Sequence, residues 1–264
     1  MICSLENRSL IKISGEDSEA FLQSQFSNDI TKIKDKQIQI NAYCQHQGKI
    51  IAILWVFKKK EDYFLSVLSE LKAIVLSKLN MFKLMSRVQI DDYSNLVYQY
   101  GLIRENQDKS IRINDSLSIL TTSELIRSVK SNSIWGLTCI ENFLPEVHLK
   151  MSEKLTPQLV NLDIDQLGVS FTKGCYPGQE VVARMHYLGK PKRRLFRFVS
   201  ECHVAIGDTL EVVDSQSLKS SGWVIQIAKK DDKSHFLATF ELKYTREKIF
   251  LNGDENKPVT ILHG

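Results

Sequence analysis

The sequence predicts an α+β protein that ends in a small antiparallel β-barrel. Three observations carry that reading. Residues 1–190 mix short segments of period-two alternation with stretches in which apolar residues recur at helical spacing. After Arg194 only short strands follow, separated by Gly-Asp, Asp-Ser and Lys-Lys-Asp-Asp turns, with no long helix. The 264 residues are 43% hydrophobic and 25% charged, an ordinary balance for a globular chain long enough for two domains or one large one. A boundary near Lys190-Pro191 divides 1–190, read as two lobes, from 191–264, read as the barrel.

Leu10 to Ile13 alternates as a strand and Gly15 breaks it. Glu16 to Ser27 then sets Phe21, Leu22 and Phe26 on one side of an amphipathic helix with acids in its first turn. Ile38 to Tyr43 and Ile50 to Phe57 flank a Gly48-Lys49 turn and read as a hairpin, with His46 exposed in the turn. Tyr63 to Leu68 is another strand. Leu71, Ile74, Val75, Leu79 and Phe82 repeat at helical spacing over Ser69 to Met85. Short β segments follow at Val88 to Ile90, Val97 to Ile103, Ile111 to Ile113 and Leu117 to Leu120, and a short helix is expected over Ser123 to Ser131, ahead of Trp135. In the C-terminal part the expected strands are Leu195 to Val199, Leu210 to Val213, Gly222 to Ala228 and Phe236 to Leu242.

The most constrained stretch is Phe171 to Arg184, which holds Gly174, Pro177 and Gly178 around Cys175. The glycines allow a left-handed φ or a close approach, and Pro177 stiffens the turn between them. Gln179 to His186 carries good helix formers, so the run reads as strand, turn, helix. Cys175 would then lie just ahead of a helix N-terminus, with Lys173 on the same face of the strand, and both would favour a thiolate. On packing alone, a lone cysteine between glycines is a small buried hydrophobe. Lys, Gln, Glu and Arg at fixed offsets around it favour chemistry or an anion.

Lys173-Gly174-Cys175-Tyr176-x-Gly178-Gln179-Glu180 resembles the K-G-C-Y-x-G-Q-E motif of the YgfZ family, folate-binding proteins similar in fold to the aminomethyltransferase (T-protein) of the glycine cleavage system. Further blocks resemble the same family: Ser14-Gly15-x-Asp17 leading to Phe21-Leu22-Gln23 and Asn28-Asp29, the run from Trp135 to Pro145, and Pro157 to Asp163. The resemblance implies a T-protein-like arrangement of two α+β lobes and a C-terminal barrel around a central channel for tetrahydrofolate or a derivative. It implies folate contacts from Trp135, Tyr176, Gln179, Glu180, Arg184 and Asn28, a motif turn built by Gly174, Pro177 and Gly178, and a functional thiol at Cys175 supported by Lys173. It also implies a monomer that serves Fe–S enzyme maintenance and tRNA modification, with Fe–S enzymes of tRNA modification as partners.

Four positions depart from these patterns. T-proteins carry paired aspartates in the second hairpin strand, where this chain has Ala52 and Ile53. A hydrocarbon there can neither accept a proton nor hold a charge, so aminomethyl transfer is not expected. Phe143 stands where the family pattern has Gly, and Arg8 sits near a position where some relatives have a second folate-site Trp, so a narrower or more polar pocket is expected.

The formal charge of +4 is uneven: Lys173 to Arg197 holds seven Lys or Arg against Glu180 alone. That leaves a third reading beside folate binding and a folate-dependent one-carbon transferase using Cys175. It is a nucleic-acid module built on Lys190-Pro191-Lys192-Arg193-Arg194, which the few aromatics in the run disfavour. The five cysteines (Cys3, Cys44, Cys139, Cys175, Cys202) are scattered, which suggests reduced thiols and no metal set. No leader pattern or membrane-length apolar run is visible, so a cytoplasmic address is expected.

Overall fold

The computed structural model describes residues 1–84, 86–105, 107–127, 129–212 and 221–263. The first lobe is a five-stranded antiparallel sheet, ordered β3-β4-β5-β2-β6, formed by β2 (Arg8–Ser14), β3 (Gln39–Cys44), β4 (Ile50–Lys59), β5 (Asp62–Leu68) and β6 (Gln89–Asp92). It carries α1 (Ser18–Gln25) and α2 (Lys72–Phe82). The apolar run in β4 is continuous because both of its faces are covered. Ile53, Trp55 and Phe57 enter one core, while Ala52, Leu54 and Val56 enter the other, under the helices.

The second lobe is a four-stranded sheet, ordered β1-β7-β9-β8, from β1 (Ile2–Ser4), β7 (Tyr98–Ile103), β8 (Ile111–Arg112) and β9 (Leu117–Thr122), with α3 (Asn132–Glu141) beside it. The last strands, β10 (Arg193–Ser200), β11 (Thr209–Val212), β12 (Gly222–Lys230), β13 (Lys233–Glu241), β14 (Ile249–Leu251) and β15 (Asp254–His263), close into a six-stranded antiparallel barrel. Phe198 stacks on Phe236 at 5.4 Å and meets Phe240 edge-on at 5.8 Å in its core.

Several boundaries differ from expectation. The segment ahead of Trp135 is not helical at its described residues; the helix is α3, and Trp135 lies inside it. A Cβ on Gly101 of β7 would collide with the Trp135 ring, so the small residue in the sheet is what lets the helix settle there. Strands β1, β14 and β15 went unread because each is short or interrupted by charged residues. Of the expected elements, Met85, Ser128 and Val213 lie outside the described residues.

The lobes and barrel are joined by a buried ion pair. Arg8 donates from Nη1 to Glu146 Oε1 at 2.5 Å, from Nε to Ser66 Oγ and from Nη2 to the Ser66 carbonyl, both at 2.9 Å. Its guanidinium lies 3.6 Å over the Trp55 ring, and Gln99 of the second sheet donates to its carbonyl. The Glu146 amide donates to Gln226 of β12. Burial pulls the Arg8 pKa below its ordinary value, and Glu146 opposes that shift. Arg8→Met should therefore cost about 3–5 kcal/mol in urea unfolding by stranding the Glu146 carboxylate, and adding Glu146→Leu should restore most of the loss. A double variant no more stable than Arg8→Met would refute this.

Candidate functional site

The motif packs around two glycines that face each other. Gly178 caps α4 (Gln179–Leu188) at φ +81°, and a Cβ there would lie 2.5 Å from the Gln45 carbonyl and 2.6 Å from the Gly48 Cα. Gly48 sits in the β3–β4 turn at φ +73°. Glycine is thus required at 178 both by the left-handed backbone and by the close approach. Gly174 differs from expectation: its φ is not left-handed, and a Cβ there would meet nothing within 4 Å.

The expected strand before the turn is absent, and residues 171–176 form bends and coil. Lys173 and Cys175 consequently do not share a face. Lys173 is buried, and its ammonium donates to the carbonyls of Gln23 and Phe26, each at 2.5 Å, and of Asn28 at 2.9 Å. Three carbonyls satisfy the three hydrogens of an ammonium, so this lysine clamps the motif to the loop after α1. Burial pushes its pKa down to about 8, and the nearby Asp29 carboxylate acts in the opposite sense. Tyr176 is buried with its ring 5.3 Å from the ammonium, and burial raises its hydroxyl pKa.

Cys175 is the one exposed thiol of the five. Burial drives Cys44 up to about 12 and raises Cys3 and Cys139 as well. Glu180 and Arg184 are also exposed, on α4.

Two cavities lie near these elements. A cleft of about 550 Å³ opens between the lobes, with Ile38, Ile40 and Phe143 as apolar lining and Lys34 and Gln37 as polar lining; Asn28, Asn142 and Asn161 also line it, with their carboxamides bonded to Ile40 and Asp29, to Thr138 and Asn114, and to Leu195. A second cavity of about 400 Å³, between α3 and β12, is lined by Trp135, Glu146, Asn7 and Gln226. Trp135 Nε1 and Gln226 Nε2 are buried and find no hydrogen-bond partner among the described residues. The structure therefore separates the residues expected to share one folate site. Asn28 lines the cleft, Trp135 lines the other cavity, and Cys175, Tyr176, Gln179, Glu180 and Arg184 line neither.

No family model matches the chain. An uncharacterized protein of Haemophilus influenzae is 30% identical over 240 residues, covering 86% of this chain and 84% of its own. The tRNA-modifying protein YgfZ of Colwellia psychrerythraea is 28% identical over 259 residues, covering 85% and 80%, and that of Buchnera aphidicola is 27% identical over 261 residues, covering 84% and 81%. The chain belongs to the YgfZ family. Its fold is that of the T-protein: the crystal structure of the glycine cleavage system aminomethyltransferase T from Bartonella henselae superimposes with a TM-score of 0.72 at 12% identity, covering all of this chain (100%) and 84% of that one.

Against the YgfZ pattern, Phe143 is informative. The residue read in the sequence as a departure from a Gly in the pattern lies at φ +50°, a left-handed conformation that glycine adopts without strain and phenylalanine does not. Phe143 also lines the cleft. Sequence reading missed Glu146, Asn142 and Asn161; the one available signal was an acid, Glu146, inside the otherwise apolar run Leu144 to Val147.

Two outcomes follow for this YgfZ-family site. Gly178→Ala should destabilise the fold by about 2 kcal/mol or more in thermal or urea unfolding, through strain at a left-handed position and overlap with the hairpin turn, whereas Gly174→Ala should be nearly neutral. In ¹³Cε-lysine spectra, the resonance lost in Lys173→Met should titrate with a midpoint near 8. A midpoint at the ordinary lysine value would show that the ammonium is not held in the buried clamp.

Proposed function

We propose that the protein binds tetrahydrofolate or a derivative in the cleft between the lobes and supports tRNA modification, with Cys175 as its functional thiol. The observation that carries the folate part is the make-up of the cleft. Ile38, Ile40 and Phe143 offer apolar surface to the faces of a pteridine, and Lys34 and Gln37 on the same lining supply polar groups for its edge and a cation for a carboxylate tail. The T-protein-like fold supports the same reading, and the tRNA part rests on the named relatives. Fe–S enzymes of tRNA modification are the clients that this reading favours.

Aminomethyl transfer is not part of the proposal. Ala52 and Ile53 are buried in opposite cores of the first lobe, and neither offers a carboxylate. For Cys175, exposure is the supporting fact: it is reachable by a partner or reagent while Cys3, Cys44 and Cys139 are enclosed.

Calorimetry with tetrahydrofolate should give one saturable site. Ile164→Trp places a large ring on the partly exposed rim of the cleft and should weaken binding at least ten-fold without loss of thermal stability. Equal affinities would remove the cleft from the proposal. Iodoacetamide should alkylate Cys175 first in the folded protein, Cys202 next, and the three buried cysteines only on unfolding. Cys175→Ala should keep the melting temperature yet fail to restore tRNA modification in cells lacking the protein; full restoration would reduce the motif to a structural turn.

A further inference from the structure

The motif ends in a helix that the rest of the protein barely covers. On α4 only Val182 is buried, whereas Glu180, Val181, Arg184, Tyr187 and Leu188 are exposed at spacings of three and four residues, which places them on one continuous face. A surface helix ordinarily turns polar residues outward, yet here Tyr187 is 66% exposed and Leu188 83% exposed. Phe171 stacks on His186 at 3.7 Å, and Tyr187 meets both rings edge-on at 6.1 and 4.9 Å, so the outermost ring is braced by two others.

The charge on this face and the chain after it is mostly positive. Arg184, Lys190 and Lys192 are exposed, and the one acid on α4 is Glu180 at its far end. Arg193 and Arg194, by contrast, are tied to Glu241 and Asp163. Exposed cations beside a braced, exposed aromatic ring match the two chemical features of a single-stranded nucleic acid, a phosphate chain and bases with open π-faces.

We propose that the outer face of α4 and the chain that follows it, from Arg184 to Lys192, bind single-stranded RNA, with Tyr187 stacking on a base and Arg184, Lys190 and Lys192 holding phosphates. This rests on the tRNA half of the functional reading and is independent of the folate half, since none of these residues lines the cleft. An acidic protein surface would satisfy the cations and could also cover the ring; RNA is favoured by the tRNA-modifying relatives, and the peptide control separates the two.

Fluorescence anisotropy with a labelled single-stranded RNA and with an unmodified tRNA transcript, over a salt series, tests this on the full chain. Three phosphate contacts predict a slope of log affinity against log salt of about −2 on a single strand. Tyr187→Ala should weaken binding at least five-fold with the slope unchanged, as expected for a lost base stack. Lys190→Ala with Lys192→Ala should flatten the slope by about 1.4. Tyr187→Ala binding as tightly as wild type, no RNA binding at all, or equal binding of a polyglutamate peptide that ignores Tyr187→Ala would each overturn the proposal. Tetrahydrofolate calorimetry on the same variants separates the two readings. RNA binding absent with folate binding intact sinks this surface alone; RNA binding as described with no folate binding sinks the cleft and leaves the surface standing.

Discussion

The Arg8–Glu146 pair lies where both sheets, the segment after α3 and the barrel come together. A buried charge must be matched in position as well as in sign, because an unmatched one is costly in a low-dielectric interior. The pair therefore constrains how the three units sit, in a way that apolar contact, which is tolerant of sliding, does not. Ser66, Gln99 and Gln226 complete its hydrogen bonds, and the Trp55 ring covers the guanidinium. A residue that reads in the sequence as a local oddity thus organises the centre of the molecule.

Lys173 plays a parallel part for the motif. Its ammonium ties the loop that carries Cys175 to the carbonyls after α1, and the Gly178–Gly48 contact ties the same loop to the β3–β4 turn. Both attachments use backbone atoms of the first lobe. The thiol is thus exposed on a loop held at two points, and Asn28, whose carbonyl accepts one of the lysine's bonds, also lines the cleft between the lobes. Thiol, cleft and the exposed face of α4 are separate surfaces that share supports, which lets each be tested without disturbing the others.

Much of the fold was legible in the amino-acid sequence because the signals are local. Period-two and helical spacing marked β2 to β5, α1 and α2, the spacing of turns marked the barrel, and the eight-residue motif marked α4 with its glycine cap and the family to which the chain belongs. Ala52 and Ile53 could be read as departures for the same reason: identity at a position needs no coordinates. The tertiary structure decided what depends on which distant groups meet. The direction of Lys173 was misread because a strand was assumed where the loop's partners lie some 150 residues away in sequence. Trp135 and Asn28 were expected together and line different cavities, the Trp135 ring being packed on Gly101 of the second sheet, a contact that no local pattern announces. The left-handed backbone of Phe143 and the exposure of Tyr187 have no local signature, and the acid in the apolar run Leu144 to Val147 marks Glu146 without naming its partner, because φ, exposure and pairing there are decided by the tertiary structure.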